Sequence, residues 1–261
     1  MPEKIWSIEL GAGRIFAAAI HDGHELREEV LRHMALDGPS RLREEDPFTG
    51  RWAQIAPSRV VGLRSRFEVD LNRPREKAVY RTPEDAWGLK VWKGGLPEVV
   101  ASRSLEAYDA FYSEVERVFR GLARDHGRFL VLDLHTYCHR RDGPDGPPAD
   151  PSGNPQVNLG TGTMTDRNRW SSLIDRFLGD LRAFDFPGGP LDVRENVRFR
   201  GGAFAARIHR TFPDSACVLS IEFKKFFMDE WTGEPDEILV NAIASALRTT
   251  LPGALEELAR S

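Results

Sequence analysis

Residues 129–134 read FLVLDL, a short apolar run with one acidic residue, and His135 follows directly. A run of this length and composition is typical of a strand buried in the middle of a sheet. Comparable runs occur at residues 15–20 (IFAAAI) and 217–223 (CVLSIEF), and part of residues 60–71 is predicted as a fourth strand. The chain is therefore predicted to build a buried central sheet.

Helical patterns lie between and after these strands. In residues 105–122 apolar and aromatic side chains recur at three- and four-residue intervals, which predicts an amphipathic helix. Residues 170–184 and 235–251 read the same way. The apolar face predicted for the last helix contains Ile238, Leu239, Ala242, Ile243 and Leu247. Alternating strands and helices predict an α/β fold with a mixed, mostly parallel central sheet flanked by helices.

Length and composition narrow the class of protein. A chain of 261 residues suits one domain spanning residues 1–261. The net charge of -4 indicates no basic surface for nucleic acid. No run approaches the roughly 20 apolar residues of a membrane helix. We therefore expect a soluble protein, and only two cysteines favour the reducing cytoplasm. Residues 140–155, with five prolines and three glycines, are predicted to form a long loop.

Polar residues at the strand ends are the first candidates for chemistry, because open α/β sheets bind ligands beyond the carboxyl ends of their strands. His135 ends the FLVLDL run, and Asp133 shares its face of the strand. A neutral imidazole is a good zinc ligand, and a carboxylate behind it can orient the ring. A histidine that merely ends the strand beside a carboxylate is the simpler alternative.

Two further segments offer metal ligands. The sequence HDGHE at residues 21–25 follows the IFAAAI run and contains two histidines and two carboxylates. His21 is favoured as a ligand there, whereas His24 and Glu25 stay open alternatives to a solvated polar loop. The acidic residues at 44–46 (EED) are usually a solvated turn, yet they could fold back onto a metal.

Residues 64–73 (RSRFEVDLNR) are predicted as a strand with a polar face of Arg66, Glu68, Asp70 and Asn72 and an apolar face of Phe67, Val69 and Leu71. Guanidinium groups beside a metal are suited to holding a carboxylate or a developing oxyanion. An edge strand with a salt-bridged outer face fits the same pattern, so this segment alone does not decide between them.

Glu222 lies inside the apolar CVLSIEF run. Burial raises the pKa of a glutamate toward the range useful for proton transfer, so Glu222 is a candidate general base. The structural alternative is a buried ion pair with Lys224, Lys225 or an arginine.

Taken together, these segments resemble the N-formylglutamate amidohydrolase family, which is related to the zinc carboxypeptidases and to aspartoacylase. The similar segments, in order, are AIHDGHEL at 19–26, EED at 44–46, SRFEVDLNR at 65–73, DLHTY at 133–137, NLGTG at 158–162, FRGGAF at 199–204 and IEFKKFFMDE at 221–230. Each is weak alone, and their order and spacing make the resemblance specific. It implies a single domain of the zinc-carboxypeptidase type, a phosphorylase/hydrolase-like fold.

The resemblance also implies an activity and roles for individual residues. The activity is hydrolysis of the amide bond of N-formyl-L-glutamate, or of a similar N-acyl acidic amino acid, with one zinc ion. His21 and His135 fall on zinc ligands, and Glu222 falls on the general base. Arg66 falls on the arginine that polarises the scissile carbonyl, and Asn72 and Arg73 fall on the residues that bind a substrate carboxylate.

The carboxylate ligand of the metal is where the sequence departs from the carboxypeptidase pattern. Those relatives use His-x-x-Glu, whereas the third residue after His21 is His24, and Glu25 is one further. The ligand stays open among Asp46, Glu45 and Glu25, with His24 as an alternative, and Asp46 is favoured by its match to the family. Two other functions remain open: a carboxypeptidase or deacylase of different specificity, and a non-catalytic metal-binding relative.

Overall fold

One sheet of seven strands organises residues 4–260, the part of the chain that the computed structural model describes. The strands are β1 (Trp6–Glu9), β2 (Ile15–Ala19), β3 (Ser58–Gly62), β4 (Phe129–Tyr137), β5 (Val157–Gly160), β6 (Val193–Glu195) and β7 (Ala216–Lys224). Their order across the sheet is β1-β3-β2-β4-β7-β5-β6. Strands β2, β4 and β7 are the predicted apolar runs. The short β1, β5 and β6 were missed by the sequence patterns.

The directions of the strands confirm the predicted mixed, mostly parallel sheet. Strand β2 is parallel to β3 and β4, β4 is parallel to β7, and β5 is parallel to β6. Strand β1 is antiparallel to β3, and β5 is antiparallel to β7. The three central strands β2, β4 and β7 therefore end at the same edge of the sheet.

Helices cover both faces of the sheet. They are α1 (Glu28–His33), α2 (Gly38–Glu44), α3 (Thr49–Ala53), α4 (Glu98–His126), α5 (Ser171–Ala183), α6 (Ala203–Thr211) and α7 (Glu237–Arg260), with short 3-10 turns at Arg75–Lys77, Pro83–Ala86 and Asn168–Trp170. Helices α4, α5 and α7 confirm the three amphipathic patterns. Residues 140–155 form neither helix nor strand, as predicted.

Alternation along β4 assigns its side chains to two cores. Leu130, Leu132 and Leu134 join the apolar cluster formed with α3, α5 and α7. Phe129 and Val131 join the cluster formed with α4 and α6. Because side chains alternate along a strand, the residues at 133 and 135 continue the second row and emerge where that apolar cluster ends.

Residues 64–73 do not form the predicted strand. Strand β3 ends at Gly62, and the chain then turns, with Glu68 N–H donating to the Ser65 carbonyl at 2.9 Å. Further along, the Asp70 carboxylate accepts the Asn72 N–H at 2.8 Å. Such local bonds from a side chain to the backbone compete with strand pairing. The predicted division into a polar and an apolar face is therefore wrong, and Glu68 and Asp70 are both fully buried.

Helix α7 buries most of the predicted face, with Ile243 and Leu247 in the core and Leu239 and Ala242 packed against it, and Ile238 is the exception. Val240, Ile243 and Leu247 are buried at helical spacing, whereas Ile238 is 71% exposed. Residues two apart lie on nearly opposite sides of a helix, so burial of Val240 turns Ile238 to solvent. Among the described residues, α7 is also the one helix whose length and mean hydropathy of 1.3 would allow a membrane span, and 39% of that apolar stretch is buried within the structure.

A buried histidine joins α6 to β7 and gives the fold a pH-dependent stability. His209 Nε2 accepts the Val218 N–H at 3.0 Å, so the ring proton is on Nδ1. Nδ1 then donates to the Thr163 hydroxyl oxygen at 2.9 Å. Burial lowers the pKa of His209 to about 4, against the opposing charge of Asp133. The imidazole is therefore neutral in the folded protein.

Acidification is expected to destabilise the protein through His209. Its pKa is lower in the folded than in the unfolded state, so between about pH 6.5 and pH 4 the unfolded state binds more protons. Neutral His209 contributes its full stabilisation of the folded state above that window. Within the window this contribution to the free energy of unfolding is lost, by about 3 kcal/mol in total. Urea unfolding of metal-free protein across the window should give a shallower pH dependence for His209→Gln. A His126→Gln control should keep the wild-type slope, and equal slopes in all three proteins would contradict the assignment.

Candidate active site

Three strand ends bring the candidate residues together. His21 lies two residues beyond the end of β2. On β4 and β7, His135 is the register partner of Glu222, and Asp133 is the partner of Ser220. Because β4 and β7 are parallel, register partners point to the same face, so the His135 imidazole and the Glu222 carboxylate stand side by side.

Two histidines and one aspartate form a compact buried cluster. One nitrogen of His21, one of His135 and one carboxylate oxygen of Asp46 all lie within 4.8 Å of one another. Asp46 Oδ2 is 2.9 Å from His135 Nδ1 and 3.3 Å from His21 Nδ1. Both imidazoles thus aim the same ring nitrogen at one oxygen. All three residues are at most 2% exposed.

A second set of carboxylates holds the far side of each imidazole. His21 Nε2 is 2.8 Å from Asp70 Oδ1, and His135 Nε2 is 2.9 Å from Asp133 Oδ1. A carboxylate behind each histidine is the usual arrangement for histidine ligands of a metal, since it fixes the ring and raises the basicity of the ligating nitrogen. The two Nδ1 atoms and Asp46 Oδ2 are thus a donor set that fits a divalent ion such as zinc.

The charges of the cluster perturb its pKa values in opposite directions. Burial alone would lower the pKa of His135, but Asp133 and Asp46 outweigh it and hold that pKa well above its usual value. For Asp46, burial favours the neutral form, and the two histidines overcome it and hold the pKa below its usual range. The site therefore stabilises an anionic Asp46 between the two imidazole rings.

Asp46 is positioned by bonds from three directions. Its Oδ1 accepts the Thr136 hydroxyl at 2.9 Å, and its backbone N–H donates to the His21 carbonyl at 2.9 Å. The chain just before it is held by Lys225, a buried cation that donates to the Arg43 carbonyl at 2.5 Å and to the Glu45 carbonyl at 2.6 Å. Asp46 is thereby presented to the histidines by a fixed backbone.

The other possible ligands point away from the cluster. Glu45 bonds to His24 Nδ1 at 2.5 Å and accepts the Ser65 hydroxyl. Glu25 is 76% exposed in its side chain and lies 3.8 Å from Arg64. Neither carboxylate, and neither nitrogen of His24, contributes to the His–Asp–His cluster within the described residues.

Glu222 lies beside this cluster and is only partly buried, because it lines a cavity. Its carboxylate makes no hydrogen bond or ion pair with any described residue, so the alternative of an ion pair with Lys224 or Lys225 does not apply. Lys224 instead donates to the Asn154 carbonyl. Loss of solvent around the carboxylate, helped by Asp46, raises the pKa of Glu222 to about 7. An unbonded carboxylate with this pKa can take up and release a proton near neutral pH.

Arg66 is anchored behind the cluster. Its Nη2 donates to Asp70 Oδ2 at 2.8 Å, and its guanidinium lies 4.9 Å from the centre of the Trp87 ring. Burial would lower the pKa of Arg66, but Asp70 and Tyr80 raise it well above the usual value, so the group stays charged. Arg66 is a fixed cation at the wall of the site.

Asn72 and Arg73 follow Asp70 on the same turn. Asn72 Nδ2 is 3.4 Å from His135 Nε2, and its Oδ1 accepts the Phe204 N–H at 3.0 Å. A β-carbon on Gly202 would lie 2.2 Å from Asn72 Oδ1, so this approach requires glycine. Arg73 is more exposed, and its Nε lies 3.8 Å from Asp70 Oδ2, which is longer than a hydrogen bond. Asn72 is thus tied to the structure, whereas Arg73 can reach a ligand.

These residues line one cavity of about 520 Å³. Its wall contains His21, Asp46, Arg66, Asn72, Arg73, His135 and Glu222, which are all seven of the predicted site residues. Seven cationic side chains and three acidic ones line it, the cations being Arg43, Arg66, Arg73, Arg141, Arg198, Arg200 and Lys225. The cavity therefore combines a metal-type cluster with a surplus of positive charge.

Several residues of the site escaped the sequence patterns. Asp70 was assigned to a strand face, yet it holds His21 and Arg66 together. Thr136 and Lys225 position Asp46, and Trp87 stacks on Arg66. Asp70, Thr136 and Lys225 lie within segments that resemble the family, but no sequence pattern predicted these roles.

The chain is similar to known proteins in sequence and in fold. The sequence model of the N-formylglutamate amidohydrolase family matches residues 14–228. In structure, the chain is similar to an N-formylglutamate amidohydrolase from Ralstonia eutropha JMP134, with TM-score 0.75, 17% identity and 98% of each chain covered. It is also similar to a gene product from Agrobacterium tumefaciens, with TM-score 0.71 and 19% identity over 98% of this chain and 97% of that one. No curated protein matches the chain in sequence.

Proposed function

Because the chain belongs to the N-formylglutamate amidohydrolase family, we propose that it hydrolyses the amide bond of N-formyl-L-glutamate to formate and L-glutamate. One observation supports this most strongly. The unbonded Glu222 carboxylate is the register partner of His135, which closes the His–Asp–His cluster. A proton acceptor beside a metal-type donor set is one arrangement that can hydrolyse an unactivated amide.

His21, Asp46 and His135 are the residues that would hold the metal, and we propose zinc because two imidazoles and one carboxylate match its preferences. When bound, the ion would supply Lewis-acid polarisation of a carbonyl and of a water molecule. Asp70 and Asp133 keep the imidazole rings oriented from behind. The remaining chemistry falls to the side chains around the cavity.

Glu222 moves the proton. We assign it as the general base that takes a proton from the water attacking the formyl carbon. As the carbon–nitrogen bond breaks, the same carboxyl delivers that proton to the departing amine nitrogen. Burial raises its pKa to about 7 in the metal-free protein, so the carboxylate is a better proton acceptor than a solvated glutamate. Arg66, a fixed cation, is placed to stabilise negative charge that develops on the carbonyl oxygen.

Arg73 is assigned to the α-carboxylate of the substrate, with Asn72 beside it. Arg73→Ala is expected to raise KM for N-formyl-L-glutamate about 30-fold and to change kcat much less, because a charge-assisted bond to a non-reacting group is lost. Steady-state kinetics measures the split. Arg75→Ala is the matched control, since Arg75 pairs with Asp109 at the surface. A fall in kcat alone would contradict a binding role for Arg73.

The proposed function is tested with a panel of N-acyl amino acids and zinc-loaded protein. We expect the highest kcat/KM for N-formyl-L-glutamate, at least about 10⁴ M⁻¹ s⁻¹. Faster release from N-acetyl amino acids or from peptides would identify a deacylase or a carboxypeptidase instead. Absence of both turnover and bound metal would indicate a non-catalytic relative.

The cytoplasm is the compartment we propose, and both cysteines are free thiols, as that setting favours.

A further inference from the structure

Most of the cationic side chains that line the cavity are already bonded to protein groups. Arg66 is bonded to Asp70, and Arg43 and Arg141 both bond to Glu44. Arg198 donates to the Asn154 side chain at 2.6 Å and lies over the Tyr137 ring. Lys225 is occupied by two backbone carbonyls.

Arg200 differs from all of these. Its guanidinium makes no hydrogen bond, ion pair or ring contact with any residue between 4 and 260. Arg200 is exposed and lines the cavity that contains Glu222 and the His–Asp–His cluster, and it also lines a neighbouring cavity beside Glu195. A cation without a protein partner at a substrate cavity retains its full capacity for an anionic ligand.

The backbone fixes the position of Arg200. The Gly162 N–H donates to the Arg200 carbonyl at 2.8 Å. A β-carbon on Gly162 would lie 2.8 Å from both Cβ and Nε of Arg200, so the side chain runs directly over the glycine backbone. Two residues on, Gly202 packs against Asn72. Arg200 thus extends from a rigid segment that is docked on the substrate-binding turn.

We propose that Arg200 binds the side-chain carboxylate of the substrate and makes the enzyme selective for acidic N-formyl amino acids. This inference rests on the proposed function. N-Formyl-L-glutamate carries two carboxylates, and Arg73 is assigned to one of them. Arg73 and Arg200 line the cavity from different segments, residues 70–73 and 199–202, so a separate cation is available for each carboxylate. A guanidinium fork matches a carboxylate in a bidentate manner, which an uncharged amide cannot reproduce.

Selectivity between N-formyl-L-glutamate and N-formyl-L-glutamine tests Arg200, because the two substrates differ only at the side-chain terminus. For the wild type we expect the ratio of their kcat/KM values to favour glutamate roughly 100-fold. Arg200→Ala should lower that ratio to within about threefold of unity, and Arg200→Lys should restore part of it through its charge. Arg198→Ala is the matched control and should keep the wild-type ratio, since Arg198 is already engaged.

The outcomes separate this inference from the proposed function. If the wild type hydrolyses N-formyl-L-glutamate and Arg200→Ala keeps the wild-type ratio, the role of Arg200 is wrong and the proposed function stands. The role of Arg200 is equally wrong if Arg198→Ala is the variant that lowers the ratio. If the wild type hydrolyses neither formyl substrate, the proposed function fails and the inference fails with it. Circular dichroism of each variant confirms that the comparison is made on folded protein.

Discussion

Glu222→Gln is expected to lower kcat/KM for N-formyl-L-glutamate by about 10³-fold while the protein keeps its fold and its metal. Glutamine has the shape of glutamate but cannot take the proton of water. The carboxylate makes no hydrogen bond or ion pair with any described residue, so its replacement breaks no structural contact. Bound zinc, measured by elemental analysis, should stay at the wild-type stoichiometry because the His–Asp–His cluster is unchanged.

Stability gives an independent check of the Glu222 assignment. The pKa of Glu222 is raised to about 7 in the folded protein, above its value in an unfolded chain. Between about pH 4.5 and 7 the folded state therefore binds more protons, and ionisation above that window opposes folding. Metal-free Glu222→Gln should have a melting temperature at pH 8 at least as high as that of the wild type.

The control for Glu222 is a second carboxylate of the same cavity. Glu44→Gln removes a charge that is paired with Arg43 and Arg141. We expect turnover within about fivefold of the wild type there. Wild-type turnover in Glu222→Gln would overturn the assignment, and so would an equal loss in both variants.

The strand-borne part of the site could be predicted because a buried strand leaves a strong pattern. Apolar runs that end in His135 or contain Glu222 stand out, and parallel strands bring their ends to one edge of the sheet. The pairing register that makes these two residues neighbours cannot be predicted from the sequence of either strand alone. It arises from pairing between segments more than 80 residues apart.

The loop-borne part could not be predicted in the same way. Residues 66–73 alternate like a strand, but bonds from the Asp70 side chain turn the chain and bury Asp70 beneath His21. The acids at 44–46 are adjacent in sequence, yet they diverge at the end of α2. Glu44 bonds to arginines, Glu45 bonds to His24, and Asp46 bonds to the two histidines. The direction of the backbone at the end of the helix determines which partner each of these side chains reaches. The amino-acid composition of the segment does not encode that direction.

Asp46→Asn is expected to reduce zinc affinity at least about 100-fold and to abolish measurable turnover at micromolar zinc. Asn keeps the size of the side chain and its bond with Thr136, but it removes the anionic oxygen at which both imidazoles are aimed. Equilibrium dialysis against a zinc chelator of known affinity measures the change directly. Zinc should also raise the melting temperature of the wild type and not that of the variant, since a ligand stabilises only the state that binds it.

Glu45→Gln and Glu25→Gln decide whether Asp46 is the carboxylate ligand. Both residues lie near Asp46 or His21 in sequence, and both direct their carboxylates to other partners. We expect each variant to bind zinc within about threefold of the wild type, because no group at the cluster changes. Loss of zinc in Glu45→Gln with retention in Asp46→Asn would move the ligand to Glu45. The reverse result leaves the two histidine Nδ1 atoms and the Asp46 carboxylate as the metal site, with Glu222 beside it as the proton acceptor.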